Sequence, residues 1–195
     1  MRRQIAIAAA IACAYAIVAG PASATSVIAL SDEQVFAKAD VAARGRVISV
    51  EVKERVNAAS KIVTVVTIDV SEVFKGAIEA GHKRKFHPLV LEVPGGTVGD
   101  IGVAVMGAPV FEVGDEVVVA AERGGSGGAA IIVGFFQGRY TVLNPTDATP
   151  LVVRDPWREN ARKLAACSAD RQTCLGEVAK TVSLDQIRQW SKVAQ

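Results

Sequence analysis

VAARGRVISVEVKERV (residues 41–56) and KIVTVVTIDVSEVFKG (61–76) decide the fold. In the first stretch Ile48, Val50 and Val52 alternate with Ser49, Glu51 and Lys53. In the second, Ile62, Val66, Ile68 and Val70 share one parity, and Val63, Thr67, Asp69 and Ser71 take the other. Period-two alternation lays one face of a strand on a core and turns the other to water. Two strands joined by Asn57-Ala58-Ala59-Ser60 are therefore expected, with Ile48, Val50, Ile68 and Val70 inside. After Val70 the parity slips at Val73-Phe74, the mark of a bulge that bends a strand.

Working outward, the same chemistry repeats. A third strand is expected from Gly81, broken by Pro88 and resumed in Leu89, Leu91 and Val93. Pro94-Gly95-Gly96 signals a turn. Ile101, Val103 and Val105 read as a fourth strand, and Glu116 to Ala121 reads as a buried one. Gly124-Gly125-Ser126-Gly127-Gly128 reads as a hairpin tip returning through Ala129 to Phe136, and Arg139 to Leu143 completes the set. Six or seven short strands between turn residues predict a mainly β fold, a closed or partly closed antiparallel barrel or a sandwich. The expected organisation is a barrel over 25–143, a linker over 144–155 and a helical segment over 156–195 packed on the barrel.

Two helix starts stand out. Ser31 with Gln34, and Ser183 with Gln186, form capping boxes. Leu30 and Val35 suit a hydrophobic staple, and Asp32 and Glu33 suit the positive end of a helix dipole. Val35, Phe36 and Ala39 are the expected buried stripe of the first helix. Trp157, Ala161, Leu164 and Ala165 recur at helical spacing beyond the linker.

The first residues predict export. Arg2 and Arg3 precede an uncharged apolar run, Ile5 to Val18, and Ala22-Ser23-Ala24 offers a small-x-small site with cleavage between Ala24 and Thr25. That places the protein in the periplasm or outside the cell, with no stable membrane span after signal removal. Cys13 sits too early in the run for a lipid anchor, and Arg2-Arg3 lacks the context of a twin-arginine signal, so general secretion is the expectation. Loss of residues 1–24 lowers the 22 basic residues to 20, matching the 20 acidic ones. A neutral chain has no broad footprint for nucleic acid. The two cysteines that remain, Cys167 and Cys174, predict a disulfide in an oxidising compartment, worth about 2–3 kcal/mol on the chain-entropy model. Metal binding by that pair would need partners, and only Asp170 lies between them.

A resemblance supplements this reading. Gln34-Val35-Phe36, Ala39-Asp40-Val41, Arg44-Gly45, Val47-Ile48-Ser49 and Ile68 to Phe74-Lys75-Gly76 look like the opening of a netrin-like module of the kind found in tissue inhibitors of metalloproteinases. The likeness runs from Glu33 to Gly76 and implies an OB-like five-stranded barrel. Those inhibitors chelate a protease's zinc through a Cys-x-Cys at the mature N-terminus. Here the expected start is Thr25-Ser26-Val27, and Ala37 or Lys38 stands where their helix cysteine would be. The resemblance thus implies the fold while the missing cysteines argue against the inhibitory mechanism.

The chemical inventory is thin. No His-Glu-x-x-His, Gly-x-Ser-x-Gly or phosphate loop is present. His82 and His87, five apart on a strand, point to opposite faces and do not form a metal pair. Lys83, Arg84 and Lys85 form the one dense basic run of the exported chain. It reads either as an anion-binding patch or as a solvated edge kept from aggregating by its charges. Asp69, Glu72, Asp100 and Asp115 read as isolated strand and turn carboxylates. Tyr140, Phe135 and Phe136 read as core, with a stacking platform as the alternative. The expectation is a non-enzymatic exported module, without metal or cofactor, that binds a protein or envelope polymer. The alternatives are a metalloproteinase inhibitor and an unrecognised hydrolase.

Overall fold

The computed structural model describes residues 27–55, 62–78, 87–143, 150–155 and 181–193. Helix α1 (Asp32–Lys38) precedes two long strands, β1 (Val41–Glu54) and β2 (Ile62–Lys75), and then β3 (Pro88–Pro94). A small hairpin, β4 (Gly96–Val98) and β5 (Ile101–Val103), leads to β6 (Glu116–Arg123) and β7 (Ala130–Ile132). Strands β8 (Arg139–Leu143), β9 (Leu151–Arg154) and β10 (Thr181–Val182) and helix α2 (Leu184–Val193) follow.

Five strands close a barrel in the order β1-β2-β3-β7-β6 and back to β1. Every pairing in the ring is antiparallel except β3 with β7, which run parallel through Leu91 and Ala130. The barrel is OB-like and mixed, where an antiparallel one was expected. The reason is parity: a closed ring of five strands cannot alternate direction throughout, so one neighbouring pair must run the same way. Its interior is filled by Val41, Val47, Val66, Ile68, Leu91, Val117, Val119 and Ile132, with Phe111 at one end. A small barrel of this kind is a packed core with no channel.

Most barrel strands follow the alternation read from the sequence, with three departures. Ile68 and Val70 are buried and Val50 packs against the core, but Ile48 faces solvent and Val47 takes the inward place. A register shift between Val47 and Ser49 causes this, because the extra residue turns Ile48 outward. Ile101 and Val103 do not form a barrel strand and sit in the outlying hairpin instead. The return strand after the glycine-rich tip stops at Ile132, because Gly134 and Phe135 adopt left-handed backbone angles that curl the chain into turns. The expected slip after Val70 appears as shifts opposite Ala42–Ala43 and Arg44–Gly45.

A second layer hangs from β6. β8 pairs with β6, β9 with β8, and β10 with β9. The stretch 144–155, expected as linker, thus contains strand β9, and the C-terminal segment contributes strand β10 as well as α2. Helices α1 and α2 cover this extension, burying Val35, Phe36, Ala39, Val118, Ala120, Tyr140, Val152 and Ile187 together. β6 therefore has both faces buried: Val117 and Val119 point into the barrel, Val118 and Ala120 into the second core. That is why its sequence is a continuous apolar run.

Both capping boxes form. The Ser31 hydroxyl accepts from the Gln34 N–H while the Gln34 side chain accepts from the Ser31 N–H, and Ser183 and Gln186 repeat the exchange. The stretches that carry the netrin-like resemblance meet at one corner. Lys75 donates through Nζ to the Phe36 and Ala37 carbonyls at the end of α1, Gly76 turns at φ +77° against the Asp40 backbone, and the Asp40 carboxylate accepts from the Arg123 N–H. A cation on the last carbonyls of a helix satisfies groups the helix leaves open.

Candidate functional site

The segment between β5 and β6, residues 104–115, crosses one mouth of the barrel. Phe111 and Ala108 point inward onto the core. The segment is stitched to β1 by the Val47 N–H donating to the Asp115 carbonyl and the Gly114 N–H donating to the Val47 carbonyl, both at 2.8 Å. Gly107 lies under Phe135 and Phe136, where a Cβ would stand 3.2 Å from either ring, so a side chain there would press on the aromatic turn. Its backbone angle, φ +82°, also favours glycine.

With its inward positions used by Ala108 and Phe111, the segment presents apolar side chains outward. Met106 is 89% exposed, Val113 66%, Val110 43%, and the bulged Ile48 beside Val47 41%. From Pro88 to Glu122 there is no lysine, arginine or histidine, against six acidic residues. The exposed Arg46 of β1 donates to the Gly114 carbonyl at 3.1 Å and pairs with Glu116, so the rim of this apolar mouth carries charges of both signs. Grouped exposed hydrophobics of this kind mark interaction surfaces more than scattered ones do.

Beneath this mouth lies Arg139, fully buried. Its guanidinium stands 5.0 Å from the Phe111 ring centroid, donates to the Thr141 hydroxyl at 2.8 Å and to the Asp155 carbonyl, and pairs with the Asp115 carboxylate at 3.3 Å. Asp115 also accepts from the Glu112 N–H at 3.0 Å, closing the turn that carries Val113. One buried cation therefore joins β8, the end of β9 and the capping segment. A buried charge is tolerated when paired and hydrogen-bonded in this way.

A second polar cluster holds α1. The Tyr140 hydroxyl donates to Asp32 Oδ1 at 2.9 Å, and Arg154 pairs with the same carboxylate, reaches the Leu30 carbonyl at 3.1 Å and lies 5.5 Å from the Tyr140 ring centroid. Burial pushes the Tyr140 phenol well above the ordinary tyrosine range, with the neighbouring Arg154 cation opposing the shift. Phe36 stacks on Tyr140 with centroids 5.6 Å apart and on Trp190 at 6.0 Å. Gln137 clasps the chain before α1: its side-chain oxygen accepts from the Leu30 N–H at 2.7 Å and its nitrogen donates to the Ile28 carbonyl at 2.9 Å. The amide thus pairs with that segment as a strand neighbour would.

Of the residues singled out in the sequence, Ala24, Thr25, His82, Lys83, Arg84, Lys85, Cys167 and Cys174 lie outside the described residues. Glu72 pairs with Arg188 of α2 at 2.8 Å, Asp115 with Arg139, and Asp100 is exposed in the β4–β5 turn. Tyr140 is core, and Phe135 and Phe136 are half-buried. Among the described residues no three His, Cys, Asp or Glu side chains gather where a metal ion could sit, and no helix is long and apolar enough to cross a membrane. The sequence reading missed the capping segment as a surface. The one signal for it was the uncharged run from Ile101 to Phe111, bounded by Asp100 and Glu112. No family model matches the chain, and no curated protein matches it.

Proposed function

We propose that this protein is an exported, non-enzymatic binding module whose barrel mouth, covered by residues 104–115, docks a protein partner. The observation that carries the reading is the outward row of Met106, Val110, Val113 and Ile48 on a segment fixed from below by Phe111 and Arg139. A surface held in place by core contacts loses little conformational freedom on binding, which favours affinity. A polymer such as a glycan would want an open aromatic platform, and Tyr140 is withdrawn against Phe36, so a protein fits this surface better than an envelope polymer. The described ion pairs tie elements of the fold together, which suits a scaffold. The netrin-like resemblance belongs to the same reading at the level of fold.

The test is capture from an envelope extract with the wild-type chain, the Met106→Asp/Val113→Asp variant and Val73→Asp, an exposed control away from the mouth. Retention of one partner by wild type and Val73→Asp, lost only in the double variant, supports the reading. A partner retained equally by all three forms, or none retained by any, rejects it.

A further inference from the structure

Residues 27–30 lie ahead of α1 as a strap held chiefly through its backbone. Val27 and Ile28 are 42% and 83% exposed, and only Leu30 packs on the second core. Gln137, itself 3% exposed, accepts from the Leu30 N–H and donates to the Ile28 carbonyl, while Arg154 donates to the Leu30 carbonyl. Gln137 ends a turn begun by Gly134 and Phe135, at φ +61° and +70°. Leu30 touches that turn as well, its Cδ1 standing 3.2 Å from where a Cβ on Gly134 would be. Phe135 is the one non-glycine residue with a positive φ among the described residues. A phenylalanine is strained there, and such strain persists only where the surroundings over-determine it.

Two things hold Phe135 in place: the strap on one side, and the segment over the barrel mouth on the other. In an extended strand neighbouring side chains point to opposite faces. Here the left-handed pair turns the chain so that the rings of Phe135 and Phe136 both stand 3.2 Å from the place of a Gly107 Cβ. We infer that the turn 134–137 is a latch coupling the N-terminal strap to the mouth segment. While Gln137 holds the strap, Phe135 stays left-handed and both rings clamp Gly107. When the strap leaves, the Gln137 amide loses its two partners there, the strained turn relaxes and the clamp on the mouth segment opens. The strap thereby regulates the docking surface, a purpose that rests on the function proposed for the mouth, whereas the coupling itself does not. Coupling between two sites is reciprocal, so a disturbed mouth must also loosen the strap. That two-way effect separates a latch from two independent contacts.

Amide hydrogen exchange of the free chain, resolved by nuclear magnetic resonance, tests this from both ends. Gln137→Leu should speed exchange at Leu30, which loses its acceptor, and also at Ala108, whose N–H is bonded to the Val105 carbonyl. Gly107→Ala, whose methyl presses on both rings, should in turn speed exchange at Leu30. Both remote effects should fall at about 5–150-fold, the ordinary span of coupling between sites. They should exceed any rise at Val66 and Ile68 in the barrel, which report opening of the whole molecule. With Phe135→Gly, which takes the left-handed angle without strain, adding Gln137→Leu should move Ala108 far less. If Gln137→Leu does not fold, Gln137→Glu gives the same reading in a milder form, keeping the acceptor for Leu30 but losing the donor to Ile28. Faster exchange at Leu30 with Ala108 unmoved in the Gln137 variant overturns the inference. So does a Leu30 rate that Gly107→Ala leaves unchanged. A mouth that captures no partner leaves these rates as they are, and rates that show no coupling leave the docking surface as it is.

Discussion

The two cores of this protein are built from the same strands by different rules. The barrel interior is packed with valine, isoleucine, leucine and alanine, and its buried charge, Arg139, stands at the end closed by Phe111. Beneath the helices, Asp32 and Gln137 are buried alongside Val118, Ala120 and Ile187, and Arg154 reaches in from the rim, whereas the buried Arg139 lies opposite Val119 on the barrel side, against Phe111. The difference follows from where backbone groups go. A closed ring of strands satisfies its own N–H and C=O groups, so its interior needs no polar side chain. The second core is bounded by a helix start, a tight turn and, among the described residues, a sheet edge at β10, each leaving donors and acceptors without a ladder. Asp32, Gln137 and Arg154 supply those partners. Non-polar packing therefore makes the barrel, and a few specific hydrogen bonds attach everything else to it.

The largest expected effect tests the attachment. Arg139→Ala removes a fully buried cation and leaves Asp115 and the Asp155 carbonyl behind, at a cost of about 3–5 kcal/mol. Chemical denaturation of the purified chain checks it. A cost no larger than that of a surface substitution would mean that this buried cation does not hold the capping segment to β8. Next, Leu91→Ala in the barrel opens a cavity in an apolar interior and costs about 2–5 kcal/mol. That loss should be independent of pH, since no titrating group lines the site.

The pH behaviour sharpens the comparison further. The chain has two tyrosines, Tyr15 and Tyr140, so an absorbance titration of tyrosinate on a Tyr15→Phe background reads Tyr140 alone. Its folded-state pKa is raised above the ordinary value of 10.0, chiefly by burial. The stabilisation is complete below pH 10 and is lost as pH rises beyond it, at about 1.4 kcal/mol per pH unit until the folded-state value is reached. Tyr140→Phe should remove this alkaline slope and cost about 1 kcal/mol at neutral pH for the bond to Asp32. Ser31→Ala, which removes one half of a capping box, should cost about 1 kcal/mol or slightly less. Arg188→Gln, which breaks an exposed pairing with Glu72, should leave the melting temperature unchanged within error.

What could be read from the chain divides along the same line. Both capping boxes were legible because the chemistry is local, three residues apart. The alternation of Ile62 to Val70 placed β2 correctly, and the slip at Val73-Phe74 marked its bend. The bulge that turns Ile48 outward has no sequence signal, since Val47 and Ile48 are equally apolar and only the pairing with Ile68 and Thr67 chooses between them. Ala129 to Phe136 reads as one strand until Gly134 and Phe135 are seen in left-handed conformations. Strand β9 was hidden between Pro150 and Pro156, which look like linker chemistry. The candidate surface was scarcely visible: an uncharged run marked the segment, but Phe111 faces inward against Arg139, which lies 28 positions further along the chain. The Asp32–Tyr140 bond spans 108 positions and left no pattern at all.

Because β6 lends one side to each core, the chain cannot be divided at residue 143 into a free barrel and a dispensable tail. A fragment ending there would uncover Val118 and Ala120 along the back of its central strand and leave Phe36 without Trp190. In hydrogen–deuterium exchange the amides of β6, β8 and β9 should therefore open together, as one cooperative unit, with no separate event for the tail. Any shortened version of this protein must keep its covering helices to stay soluble.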